Sequence, residues 1–305
     1  MPGVQEWIHK LEVGEGARYI KWAAVGLGLL ALAALYDFRK FKNFATQEAM
    51  DSAQLARNIA EGKGYSTDFI RPLSIYLLQK KRGEEKAILK ERHPDLANPP
   101  VYPVLLAGLM KILPFKYDIM TTGALFWRHQ PELLIAFFNQ ILFYLALFVV
   151  FRLATRMFDS SVAWASAAIL SGTDIFWRYS VSGLSTMLLV NILLGVIWCM
   201  VLLEQNTREE KWGSIRVIVF GALTGVLVGL GGLTRYSFAF FIIPVVAFFA
   251  IFFGSRRIVL SATALAAFLV VMSPWLARNY VVSGTLFGVR GYTIYQDTTQ
   301  FSGTR

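Results

Sequence analysis

Seven apolar runs of roughly bilayer length dominate the chain, at residues 20–38, 132–151, 160–177, 184–203, 216–234, 236–253 and 258–276. A helix needs roughly 20 apolar residues to cross the hydrocarbon core, and lipid forces its backbone polar groups to be satisfied internally. The runs therefore predict an all-α polytopic membrane protein with about seven transmembrane helices. Composition agrees, with 55% hydrophobic and 16% charged residues over 305 positions, where a soluble domain carries about 25% charged. Ala31-Leu32-Ala33 mimics a signal-peptidase site, but the polar region before this first run is long for a signal peptide, so the run is read as an uncleaved helix.

Charge sets the orientation. The formal charge is +10, yet the basic residues flank apolar spans and form no single stripe, which argues against nucleic acid as a partner. With the N-terminus cytoplasmic, inner segments carry Lys10, Arg18 and Lys21, then Arg152 and Arg156, then Arg208, Lys211 and Arg216, then Arg256 and Arg257. The short outer turns carry only Arg178 and Arg235. This gives a cytoplasmic segment 1–19, a first helix 20–38, an external loop 39–131, a six-helix region 132–276 and an external segment 277–305.

The middles of spans two to seven hold no Asp, Glu, Lys or Arg, which disfavours a transporter or flippase, since those keep ionisable groups at midplane. Polar residues gather at the external ends instead: Asp174, Arg178, Tyr179, Arg235, Tyr236, Arg278 and Asn279. Gly221, Gly225 and Gly229 form a double GxxxG ridge for close helix packing, and Asn139, Gln140 and Asn191 read as interhelical hydrogen-bond partners. The lone Cys199 excludes an internal disulfide, and His9, His93 and His129 have no metal-ligand spacing. No cofactor and no metal-ligating residue is predicted, and the sequence leaves a divalent-metal requirement open.

The external loop concentrates the charges. Residues 46–62 read as an amphipathic interfacial helix, with Thr46 as N-cap and Gly62 as stop. Glu48 and Asp51, three apart, share a face and are candidate general bases. Arg57, Lys63 and Arg71 are candidate ligands for a lipid phosphate, and Tyr65 suits the interface. The mixed-sign stretch 80–92 predicts a solvated helix, and the rigid Asn98–Pro103 stretch launches a short interfacial or re-entrant helix over 101–114.

These features, in this order, resemble the integral-membrane glycosyltransferases of the C fold, specifically the family 39-like bacterial relatives of protein O-mannosyltransferases and of the lipid A aminoarabinose transferase. Ala56-Arg57-Asn58-Ile59-Ala60-Glu61-Gly62-Lys63-Gly64-Tyr65 is similar to the family's A-R-N-L-x-x-G-x-G-Y stretch. Asn98-Pro99-Pro100-Val101-Tyr102-Pro103 is similar to its H-P-P-L-Y-P stretch, and residues 229–244 and 273–288 to its L-T-R-P and P-W-x-x-R-N-Y segments. There are departures. Counted back from Ala56, the family's acidic pair falls on Glu48 and Ala49 and its Tyr on Ser52, so Asp51 stays a competing base. His93-Pro94 lies five residues early. Such enzymes usually continue through further spans, so the chain, ending at Arg305, reads as an N-terminal portion.

The resemblance implies inverting sugar transfer from a polyprenyl-phosphate donor to an acceptor, whether glycan, lipid or protein, at the external face of a bacterial cytoplasmic membrane. Glu48 or Asp51 is then the base. Arg57, Lys63, Tyr65, Arg71, Tyr102, Arg235, Arg278 and Asn279 are then the candidate substrate-binding residues. A non-catalytic carrier-lipid-binding protein of the same fold is the alternative.

Overall fold

The computed structural model describes residues 15–83, 92–117, 128–209 and 212–291. The expected N-terminal segment through residue 14, the middle of the 80–92 stretch and the end of the C-terminal segment lie outside the described residues. The protein is an all-α polytopic membrane protein. Among the described residues, five helices are long and apolar enough to cross a bilayer: α1 (Glu15–Arg39), α5 (Gln130–Met157), α8 (Thr186–Arg208), α9 (Ser214–Gly232) and α11 (Arg257–Ser283).

The other two expected spans are broken. Residues 160–177 divide at Thr173 into α6 (Ser160–Gly172) and α7 (Asp174–Ser180). The buried Trp177 turns its indole N–H back to the Ser171 carbonyl at 2.7 Å, satisfying an acceptor orphaned by the end of α6. Its ring stacks on Tyr36 of α1 at 5.4 Å. Residues 236–253 open with a 3₁₀ turn, Tyr236–Phe241, before α10 (Ile242–Phe252). The Phe238 ring fills the space over Gly231, where a Cβ would stand 2.2 Å from it. Irregular backbone at membrane depth is tolerated where it lines a cavity, and this break does so.

The described residues between α1 and α5 form a cap. In it lie α2 (Gln47–Ala60), a short strand β1 (Ser66–Thr67), α3 (Pro72–Arg82), β2 (His93–Pro94) and α4 (Val101–Ile112). β1 and β2 pair antiparallel, Ser66 opposite Pro94 and Thr67 opposite His93. α3 ends at Arg82, where Gly83 adopts a left-handed cap at φ 68°; most of the stretch expected as a solvated helix over 80–92 lies outside the described residues. Ala56, Leu106, Ile135 and Ala136 are buried in a layer joining α2 and α4 to the start of α5. A second core joins α8, α9, α10 and α11, and a third gathers Ala33, Phe143, Trp177 and Met187. Large apolar side chains outside these cores, such as Leu27, Ile141, Ile218 and Val270, are exposed, as lipid-facing positions are.

The glycine ridge of α9 packs on α11 at backbone contact. A Cβ on Gly225 would lie 2.0 Å from the Ala264 carbonyl oxygen, and one on Gly221 would lie 2.7 Å from Leu260. Gly225→Val is expected to push the two helices apart and destabilise the fold by about 3 kcal/mol or more. Gly26→Ala in α1, with nothing within 4 Å of the new methyl, is expected to be neutral. Thermal unfolding in detergent separates the two, and an unshifted Gly225→Val midpoint would contradict the packing.

Candidate active site

The motif around α2 shapes the site. Its C-terminus stops at Gly62 and Gly64, with φ of 77° and 74°, a left-handed geometry that glycine adopts without strain. The turn is locked by the buried Asn58, whose amide donates to the Ser66 carbonyl at 2.9 Å. It delivers Tyr65 to the carbonyls of Asn98 and Pro99, each accepting its hydroxyl at 3.0 Å. Burial raises the Tyr65 phenol well above its usual range, so it remains a donor.

Asp95 organises the next turn. Its carboxylate accepts the Ala97 and Asn98 N–H groups at 2.9 and 2.7 Å and the Asn98 side chain at 3.2 Å. Burial raises its carboxyl above the usual range, while these donors and Arg71, 3.9 Å away, favour the charged form. Its backbone carbonyl receives Arg278 at 2.6 Å. Arg278 also lies over the rings of Trp275 and Tyr65, at 4.8 and 5.6 Å. The adjoining Asn279 is fully buried and bonds Tyr236 and the Leu286 carbonyl.

The segment after α11 folds back over this turn. Val289 donates its N–H to the Leu96 carbonyl at 2.9 Å, and the Arg290 guanidinium reaches the Ala97 carbonyl at 3.2 Å. Gly288 allows the approach: its φ is 54°, and a Cβ there would sit 2.2 Å from the Leu96 oxygen. Val101 in turn donates to the Leu233 carbonyl at 3.0 Å, fixing the cap against the broken span.

Between these elements opens a cleft of about 740 Å³, lined by Glu48, Pro99, Thr234, Arg235, Tyr236 and Arg290 at its polar end and by Phe240, Phe268 and Phe287 elsewhere. Arg235 holds Glu48 through both carboxylate oxygens, at 3.0 and 3.2 Å. Glu48 keeps 38% of its side chain exposed. A carboxylate, two guanidiniums and an apolar wall thus share one cavity.

The two candidate bases part company here. Asp51, on the same helix, has a side chain only 2% exposed and is ion-paired with Arg71. It does not line the cleft. Arg57 and Lys63 are also apart from it, both paired with Glu61 at 2.8 and 2.6 Å, with Arg57 stacked on Tyr117. Tyr102 is buried in the core, where its hydroxyl joins the Asn139 amide and the Gly183 carbonyl. His93 is buried against Ser74 at 2.7 Å, and burial lowers its basicity. Of the expected residues, Glu48 and Arg235 meet in the cleft, and Tyr65, Arg278 and Asn279 brace the turns behind it.

Sequence reasoning missed Arg290 and Asp95. The signals were the glycines on either side of Val289-Arg290 and the Asp-x-x-Asn spacing before the prolines, both of turn type. Among the described residues, no cluster of three or more His, Cys, Asp or Glu is arranged to hold a metal ion.

Residues 97–277 match the family described as dolichyl-phosphate-mannose-protein mannosyltransferase. No curated protein matches, and no solved structure matches. The matched stretch takes in Arg235 and the whole bundle from α4 nearly to the end of α11, while Glu48 lies before it.

Proposed function

The chain belongs to the dolichyl-phosphate-mannose-protein mannosyltransferase family, and on that premise we propose that it transfers a sugar from a polyprenyl-phosphate donor with Glu48 as general base. The family makes it a membrane glycosyltransferase of the mannosyltransferase type. The observation that carries the finer reading is the shared cleft: of the two candidate carboxylates, only Glu48 lines it, with Arg235 and Arg290.

In this reading the acceptor hydroxyl gives its proton to a Glu48 oxygen as its own oxygen bonds to the anomeric carbon. The bond from that carbon to the donor phosphate breaks on the opposite side, inverting the centre. The bonding pair leaves on the phosphate, whose growing negative charge Arg235 and Arg290 receive. The apolar wall of Phe240, Phe268 and Phe287 suits the first isoprene units of the carrier.

The resting Glu48–Arg235 pair gives the steps an order. A carboxylate held by both oxygens is a poor base, so the incoming phosphate draws Arg235 away and frees Glu48 only once the donor is seated. Basic residues at the opposite ends of the spans, Arg152, Arg156, Arg208 and Arg257 among them, support an orientation with the cleft at the external face.

The test is turnover in lipid nanodiscs with a synthetic polyprenyl-phosphate mannose, following release of free polyprenyl phosphate by mass spectrometry. Donor-dependent release that falls in an Arg290→Gln variant is expected. Donor retention without turnover, across acceptors of all three classes, would favour a carrier-lipid-binding protein instead.

A further inference from the structure

A second cavity, of about 250 Å³, lies beside the chain that connects α1 to α2. It shares no lining residue with the cleft. Lys40, Lys42 and Arg178 line it together with Asn43, Thr46 and Ser182, and no carboxylate does. Among the described residues no carboxylate lies within ion-pair distance of Lys40 or Lys42. Arg178 has Asp174 as its partner, and Asp174 also accepts the Tyr36 hydroxyl. Lys40 acts on the same Asp174 carboxylate, so the three lining cations outnumber that one acid by two.

The walls of this cavity are fixed. Asn43 holds a left-handed backbone at φ 62°, and its side-chain oxygen accepts the His129 N–H at 2.9 Å. The Phe44 N–H donates to Glu132. The Phe44 ring lies over Gly183 so closely that a Cβ there would come within 2.4 Å of it. Lys42 and Thr46 are thus carried on a strapped segment, and the Thr46 hydroxyl makes no capping bond to α2.

Three cations beside a single carboxylate, with the Thr46 hydroxyl facing a preformed space, match a phosphate better than any neutral group. The volume is several times the roughly 30 Å³ of a water molecule, enough for a tetrahedral anion. Lys40 and Lys42 follow within three residues of Arg39, where α1 ends. That places them at the membrane edge, where basic side chains meet anionic headgroups.

We propose that this pocket binds the phosphate of an anionic lipid headgroup at the membrane edge, separately from the cleft. The site does not depend on the transfer reaction. Its occupant would touch Thr46, two residues before Glu48, so it would steady the start of the helix that carries the base.

Native mass spectrometry of the full chain in detergent, titrated with phosphatidic acid, phosphatidylglycerol or phosphatidylcholine, tests the site. Wild-type protein is expected to retain one phosphatidic acid in preference to phosphatidylcholine. Lys40→Gln and Lys42→Gln should each weaken that retention roughly fivefold, and the double variant more. Both lysines are exposed, so these variants should fold; Arg178→Gln is a third, independent probe. Equal retention by wild type and the lysine variants would overturn the site. Displacement of the lipid by millimolar inorganic phosphate would overturn the lipid source and make a soluble phosphate ester the occupant. Retention that persists against inorganic phosphate supports the headgroup.

Discussion

Glu48→Gln is expected to lower the rate of sugar transfer by about 10²–10⁴-fold, the usual worth of a positioned general base, with almost no change in thermal stability. The glutamine amide preserves the shape of the side chain and one oxygen to accept from Arg235. Half-exposed ion pairs of this kind contribute about 0–1 kcal/mol, so the melting temperature should hardly move. Donor retention should persist, because Arg290 and the freed Arg235 still meet the phosphate. A single-turnover assay reading polyprenyl phosphate release, beside a melting curve, checks both halves. Wild-type-like turnover in this variant would remove Glu48 from the chemistry.

Asp51→Asn is expected to behave in the opposite way. Its carboxylate is buried against Arg71, which is itself three-quarters buried. Removing one partner of such a pair leaves an uncompensated charge, a loss of about 3 kcal/mol for a pair this sheltered. Arg71 also stands 3.9 Å from Asp95, so the disturbance should spread to the turn at Ala97 and Asn98. Unfolding should shift markedly to lower temperature, while turnover per folded molecule stays near wild type. Hydrogen exchange at the Ala97 and Asn98 amides would show the loosened turn. A stable but inactive Asp51→Asn would exchange the roles of the two acids.

The pair shows what could be read in the chain and what could not. Spacing put Glu48 and Asp51 on one stretch of helix, and helical periodicity alone cannot rank them, because both fall near the same face. The ranking comes from partners 20 and 187 positions away, Arg71 and Arg235, which no local pattern encodes. The long spans were legible because a bilayer allows few solutions to a twenty-residue apolar run. The two broken spans were not, since their apolar runs look like the others. Their breaks depend on where Trp177 and Phe238 find room. Tyr102 stood within a motif stretch and looked accessible, yet its hydroxyl is consumed by Asn139 and Gly183 in the core. Arg290 gave no sign beyond its glycines, because its place is set by a carbonyl 193 positions earlier.

That last separation bears on how the protein comes into being on the ribosome. Domains generally form as the chain emerges, and contacts distant in sequence are slow to close. α1, α2 and Glu48 are made first, yet Arg235, Arg278 and the Val289–Leu96 bond join them only after most of the chain has been inserted. Until Gly288 has left the translation machinery, the turn at Leu96 has no lid and the cleft no far wall. On the proposed reading, a nascent chain therefore carries Glu48 in the membrane throughout synthesis before the cleft in which it would act has closed.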